Sequence, residues 1–160
     1  MPELRIGLGI DAHALERGVP LVLGGVTIDH PQGLAGHSDG DVIAHALVDA
    51  LLGAAGLADI GALFPSGDER WAGADSFELL RVAYARVLDA GYSLVNADCI
   101  LIGEGPRIAG HRVEMCRRLA EAIGVEPGRV NVRATTTDRL GFTGRGEGLA
   151  AEVVALLQGV

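Results

Sequence analysis

Three side chains able to bind a metal fall in two short segments of this chain. Asp11 and His13 form an Asp-x-His pair, and His45 ends the stretch His37-Ser38-Asp39-Gly40-Asp41-Val42-Ile43-Ala44-His45. Residues two apart on a strand share a face, so an extended segment would aim Asp11 and His13 at one ion. His45 falls about one turn into an expected helix and can supply a third ligand. Two imidazoles and one carboxylate leave a position open on tetrahedral Zn²⁺, the arrangement of catalytic rather than structural zinc. A lone Asp-x-His would more often be a strand-end carboxylate beside a satisfied histidine. His37 and His45 are what raise the pair above that reading.

A second group of interest is Ala134-Thr135-Thr136-Thr137-Asp138, followed by Leu140-Gly141-Phe142-Thr143-Gly144-Arg145-Gly146-Glu147-Gly148. Threonine hydroxyls can donate to an anion, and glycines let backbone N–H groups approach one. Asp138 suits a hard cation such as Mg²⁺ on phosphate oxygens. The plain alternative is a Thr-rich strand end and a glycine turn. A third segment, Gly103-Glu104-Gly105-Pro106-Arg107, ends an apolar run, and strand ends of this kind commonly hold ligands in open α/β sheets.

The elements that must position these groups are legible in outline. Leu4 to Ile10 reads as an apolar strand, and Pro20 to Ile28 as a hairpin turning at Gly24-Gly25. Gly33 to Gly36 reads as a loop. Ser38 with Asp41 resembles a capping box opening a helix that runs to about Gly56. A long connection holds Asp59 to Pro65, and a second helix spans Asp75 to Gly91. Ser93 to Ile102 reads as a strand, Ala109 to Ile123 as a third helix closed by Gly124, and Arg129 to Thr135 as a half-buried strand. Leu149 to Leu157 suits either a helix or a strand buried on both faces. Strands and helices alternate without linker or repeat, which predicts a single α/β (α+β) domain over residues 1–160.

Composition narrows the chemistry. Apolar residues make up 49% of the 160 residues and aromatics only 4%, so the core must be built from Ala, Val, Leu and Ile. All 13 basic residues are arginine. The absence of lysine excludes a Schiff-base enzyme, a pyridoxal-phosphate lysine and a Walker-type phosphate loop. A net charge of −8 argues against a nucleic-acid surface. No apolar run approaches the ~20 residues of a membrane span, and Met1-Pro2-Glu3 lacks the start of a signal peptide. Cys99 and Cys116 lie in apolar-periodic segments with no close-spaced partner, as buried free thiols do. A cytoplasmic protein is expected.

Taken together, Ile10-Asp11-Ala12-His13, His37-Ser38-Asp39-Gly40-Asp41, Ala58-Asp59-Ile60-Gly61, Leu63-Phe64-Pro65, Ala134-Thr135-Thr136-Thr137 and Leu140 to Gly148 resemble the 2-C-methyl-D-erythritol 2,4-cyclodiphosphate synthase family. The resemblance runs from about Arg5 to Leu157. It implies a ferredoxin-like sheet with helices on one face, a final strand rather than a helix, and a homotrimer with active sites between subunits. It further implies a phosphorus–oxygen lyase of non-mevalonate isoprenoid biosynthesis that cyclises a cytidine diphosphate-linked substrate and releases CMP. Zn²⁺ would sit on Asp11, His13 and His45, with Mg²⁺ or Mn²⁺ bridging the diphosphate at Asp138. His37 and Thr136 would be catalytic, and His37 and Ser38 would meet the 2-phosphate. Asp59, Ile60, Gly61, Phe64 and Asp68 would line the methylerythritol pocket. Gly103, Pro106, Arg107, Ile108 and Ala109 would hold cytosine, and Thr135 and Thr136 the diphosphate. Phe142 and Arg145 would take an isoprenoid diphosphate on the threefold axis.

Three positions depart from the family pattern: Asp138 replaces a common Glu, Gly103-Glu104-Gly105 an alanine-containing run, and Arg107 a familiar Lys. Two rival readings share the metal triad. A non-haem iron oxygenase uses two His and a carboxylate but requires many strands closing a jelly roll. A metal-stabilised isoprenoid-diphosphate carrier would release no CMP.

Overall fold

The structure, a computed structural model, describes residues 1–36 and 38–160. Strand β1 (Leu4–Arg17) is followed by β2 (Leu21–Leu23), β3 (Val26–Ile28), β4 (Gln32–Leu34) and α1 (Val42–Ala54). Then come α2 (Ile60–Leu63), α3 (Ser76–Asp89), β5 (Tyr92–Ile102), α4 (Arg112–Ile123), β6 (Val130–Thr135), α5 (Gly141–Gly144) and β7 (Gly148–Gly159). The main sheet has the order β4-β1-β7-β5-β6, and β2 pairs with β3 in a separate hairpin.

β1 is twice the expected length and carries Asp11 and His13 within it. The hairpin turns at Gly24-Gly25 as expected, with φ of 55° and 76°, values only glycine adopts without strain in a two-residue turn. The expected loop at Gly33 pairs instead as β4, with Gly33 opposite Glu16 of β1. The ambiguous C-terminal segment is β7, antiparallel to both β1 and β5. Its place between β1 and β5 gives it hydrogen-bonded neighbours on both sides, and it buries one row of its side chains, including Val153, Ala155 and Leu157, against the helices.

The connectivity corrects one expectation. A ferredoxin-like chain runs β-α-β-β-α-β through an antiparallel sheet. Here α4 links β5 and β6 as adjacent parallel strands, and the chain returns through α5 to insert β7 between β1 and β5. Parallel neighbours require a crossover element, and α4 supplies it. The sheet is therefore mixed.

α1, α3 and α4 lie on one face of that sheet. α1 is apolar nearly all round, as a helix buried between a sheet and a second helix must be. It lies unusually close to β1, because Gly7 and Gly9 face it. A Cβ on Gly9 would overlap the carbonyl oxygen of Ala46, and one on Gly7 that of Ala50. Ala46, Ala50 and Ala54 complete the small-residue seam.

The N-cap of α1 is Asp41, not the expected Ser38. Its side chain accepts from Ala44 N at 3.1 Å, and also from Gly24 N at 3.0 Å and Gly25 N at 2.8 Å. Burial pushes its carboxyl up to about 6, against those three N–H donors. One carboxylate thereby fastens the hairpin to the start of α1, a stronger arrangement than a serine cap offers.

The opposite face of the sheet is uncovered in the single chain. Leu4, Ile6, Leu8 and Ile10 of β1 are 60%, 74%, 57% and 59% exposed, and Val154 beside Leu8 is 50% exposed. A contiguous apolar surface of this kind marks an association face.

Candidate metal centre

Asp11 and His13 lie on the helix-facing side of β1, continuing the row that begins with Gly7 and Gly9. His45 is the fourth residue of α1, immediately before Ala46, whose carbonyl faces Gly9 of the strand. Close approach of α1 to β1 therefore brings the three ligands together. His13 Nε2 lies 2.8 Å from Asp11 Oδ2, His45 Nδ1 lies 3.2 Å from the same oxygen, and the two nitrogens are 3.2 Å apart. Edges between ligands of a tetrahedral site with 2.0–2.2 Å bonds are about 3.3–3.6 Å. The donor triangle thus fits a small divalent cation after a few tenths of an ångström of expansion.

The electrostatics suit the same use. Burial raises the Asp11 carboxyl, but hydrogen bonds and charge from His13 and His45 outweigh it, lowering the group to about 2. The hydrogen bond to Asp11 raises His13, against its partial burial. Asp11 is thus ionised at neutral pH and ready to ligate, while a proton on His13 is what a cation would displace.

Residues around the triangle form a cleft of about 200 Å³ lined by His13, Ser38, His45, Ile60, Gly61, Phe64, Asp68 and Trp71 among others. His13 and His45 line it directly, and Phe64 packs edge-on to Trp71 with ring centroids 4.7 Å apart. Asp49, one turn after His45, accepts from Ile60 N at 2.8 Å and ties the Ile60–Gly61 wall to α1. Asp59 and Asp68 both cap short helices: Asp59 accepts from Ala62 N, and Asp68 from Arg70 N. Asp68 also pairs with the Arg70 guanidinium at 2.6 Å. Of the expected pocket residues, Asp59 stands outside the cleft wall, and His37 lies outside the described residues.

The other expected contacts gather at the far edge of the sheet. Arg107, Ile108 and Ala109 line a cavity of about 530 Å³ with Arg112, Arg133 and Ala134. Gly103 and the cis-linked Pro106 lead into it; a side chain on Gly103 would strike Leu149. Thr135 ends β6 beside Ile102 of β5. Thr136 donates to Glu104, which also accepts from Arg139 N at 3.1 Å. Asp138 is exposed, with a φ of 53°, and does not belong to the Asp11–His13–His45 group. Phe142 is half-exposed, and Arg145 pairs with Glu147 at 2.8 Å.

His30 and His111 are half-buried and stand apart from the metal group; His30 Nδ1 bonds the Gln32 carbonyl. Cys99 is buried and Cys116 half-buried, both as free thiols. Sequence reading missed Ser76, which reaches His45 from 31 residues away, and Asp39, which accepts from Ser76. The one available signal was the Asp75-Ser76 helix start.

Fold and site together define a class: a mixed α/β protein with a group of two histidines and one carboxylate, between β1 and α1, that could hold a metal ion. Among the described residues, no helix is long and apolar enough to cross a membrane. A model of the YgbB family matches residues 4–158. A Marinobacter nauticus 2-C-methyl-D-erythritol 2,4-cyclodiphosphate synthase is 55% identical over 98% of this chain and 99% of its own length. The Rubrobacter xylanophilus protein of the same name is 57% identical over 99% and 97%.

Among solved structures, the bifunctional IspDF of Campylobacter jejuni superimposes with a TM-score of 0.95 at 42% identity. That match covers all of this chain and 43% of the larger protein. A 2C-methyl-D-erythritol-2,4-cyclodiphosphate synthase in a CDP-bound form gives 0.88 at 40% identity, over 96% of this chain and 99% of that one. The chain belongs to the YgbB family, that of the 2-C-methyl-D-erythritol 2,4-cyclodiphosphate synthases.

Proposed function

We propose that this chain converts 4-diphosphocytidyl-2-C-methyl-D-erythritol 2-phosphate to 2-C-methyl-D-erythritol 2,4-cyclodiphosphate and CMP. The observation that carries the reading is the convergence of Asp11, His13 and His45 at the mouth of a cleft, in a chain of this family. An oxygen of the 2-phosphate attacks the β-phosphorus. The new P–O–P bond closes the ring as the bond from the β-phosphorus to the α,β-bridging oxygen breaks, and CMP departs with that oxygen. No protein nucleophile is required, in keeping with a chain that lacks lysine and holds Cys99 buried. Positioning and charge neutralisation carry such transfers.

Asp11, His13 and His45 would hold Zn²⁺ to polarise a phosphate oxygen, with Mg²⁺ or Mn²⁺ at Asp138 neutralising the diphosphate. Ser38, with the expected His37, would bind the 2-phosphate. Ile60, Gly61 and Phe64 would pack the methylerythritol carbons and exclude water, with Asp59 and Asp68 at the rim. Gly103, Pro106, Arg107, Ile108 and Ala109 would cradle cytosine. Thr135 and Thr136 would orient the diphosphate, which requires Thr136 to leave Glu104. The test is incubation with the cytidyl substrate, Zn²⁺ and Mg²⁺. Stoichiometric CMP with the cyclic diphosphate is the expected result, and binding without CMP release would favour the carrier reading.

A homotrimer completes this site. The metal cleft and the expected cytosine cavity share no wall residue and stand at opposite ends of the strand order. In a closed threefold ring the cleft edge of one subunit meets the β6 edge of the next, and the apolar face of β1 and β7 is buried against its copies. Leu8→Arg is expected to give a folded monomer by light scattering, with CMP release reduced at least 100-fold. A fully active monomer would refute the shared site.

On the axis of such a ring, Arg145 and Phe142 would bind the head and tail of an isoprenoid diphosphate. Each Arg145 brings its own Glu147, so the three guanidinium groups need no anion to coexist. The ligand must instead compete with Glu147. Arg145→Ala is expected to abolish geranyl diphosphate binding by calorimetry while zinc binding persists; unchanged binding would exclude the role.

A further inference from the structure

Beside the proposed ligand triangle, the second nitrogen of His45 meets a buried polar chain. Its Nε2 lies 2.9 Å from Ser76 Oγ and 3.0 Å from Ser38 Oγ, and the two hydroxyls are 3.2 Å apart. Ser76 Oγ donates to Asp39 Oδ1. Asp39 also accepts from Ser76 N at 3.2 Å and Asp41 N at 3.0 Å.

The proton count follows from these partners. A serine hydroxyl has one donor and two lone pairs. With its proton committed to Asp39, Ser76 can only accept, and it is fully buried at the first turn of α3. Its two acceptor positions match His45 Nε2–H and Ser38 O–H. His45 must then carry a proton on Nε2, so that Nδ1, which meets Asp11 Oδ2, is the nitrogen left to bind a cation. The buried Ser76 is fixed by two bonds to Asp39, whereas Ser38 lines the cleft and can turn toward a ligand without releasing His45.

We infer that Ser76 and Asp39 are positioning residues that set the tautomer and ring orientation of His45 for cation binding. Asp39 does this while holding the start of α3 to the start of α1. The angle between two helices is thereby linked to the lone pair of one ligand. Hydrogen-bond partners behind metal-bound histidines typically contribute 10–100-fold in metal affinity.

The inference rests on the triangle being a cation site, and the experiment separates the two. Zinc affinity is measured by chelator competition on the full chain, with Co²⁺ absorption reporting ligand geometry. Ser76→Ala is expected to weaken zinc about 10–100-fold and alter the Co²⁺ spectrum. Asp39→Asn, which keeps an acceptor for the Ser76 hydroxyl, should lose less than Asp39→Ala. Wild-type affinity and spectrum in Ser76→Ala would overturn the inference and leave the cation site standing; a wild-type chain that binds no zinc would overturn both.

Imidazole ¹⁵N NMR on the zinc-loaded wild type decides the matter if Ser76→Ala does not fold. A slowly exchanging Nε2 proton close to the Ser76 methylene is expected. A proton on Nδ1, or an Nε2 proton exchanging as in free imidazole, would overturn it.

Discussion

His45→Ala is expected to abolish zinc binding and to reduce CMP release by at least 1,000-fold, while the metal-free fold changes little. Removing one of three protein ligands leaves Asp11 and His13, two donors on one strand, with nothing to close the triangle from the helix side. The side chain is largely buried but surrounded by Asp11, Ser38 and Ser76, so its loss opens a small polar gap rather than a core cavity. Two measurements check this. Zinc should raise the melting temperature of the wild type by mass action and leave that of the variant unchanged.

Acid should mimic the mutation in stages. As pH falls below the raised value of His13, the proton competes with the cation and affinity declines. Asp11 behaves oppositely: its folded value of about 2 lies below its ordinary 3.8. Its contribution to metal-free stability is present above 3.8 and is lost as pH falls through about 2. A variant that bound zinc like the wild type would remove His45 from the site.

Gly9→Ala is expected to destabilise the chain strongly, by about 3 kcal/mol, the upper end of the usual cost of overpacking. The added methyl meets backbone, the Ala46 carbonyl, rather than a movable side chain. Helix α1 must retreat from β1 or the strand must bow. Either movement separates His45 from Asp11 and His13, so whatever protein folds should also bind zinc weakly. Chemical denaturation together with zinc competition measures both effects. A Gly9→Ala protein with wild-type stability would show that the close strand–helix seam is not what sets the ligand distances.

Much of this was readable beforehand because it depends on local pattern. Asp11-x-His13 follows from strand alternation, the hairpin turn from the paired glycines Gly24-Gly25, α3 from its start at Asp75, and α4 from its stop at Gly124, although α4 begins at Arg112 rather than the expected Ala109. What escaped reading depends on distance along the chain. Asp41 displaced Ser38 as the cap because it also collects Gly24 and Gly25, 17 and 16 residues earlier. β4 is three residues long and is defined by its pairing to β1, so no periodicity announces it. β7 satisfies both helical and extended patterns until its neighbours are known. The mixed sheet was hidden for the same reason: which strands neighbour which is a property of the crossovers. Ser76 and Asp39 resemble ordinary helix-start residues, and only the packing of α3 on α1 reveals what they touch.

The alternation along β1 has an evolutionary consequence. Gly7, Gly9, Asp11 and His13 point one way, while Leu4, Ile6, Leu8 and Ile10 point the other. Two selective pressures therefore operate on interleaved letters of a single word. Substitutions at the odd positions should be judged by chemistry and at the even ones by assembly, and the two sets can drift almost independently. A frame change cannot be tolerated by either. Deleting one residue within the strand exchanges the parities, turning isoleucine against the helix and glycine toward the exposed face. Variation in this segment should consist of replacements, with insertions and deletions confined to its ends.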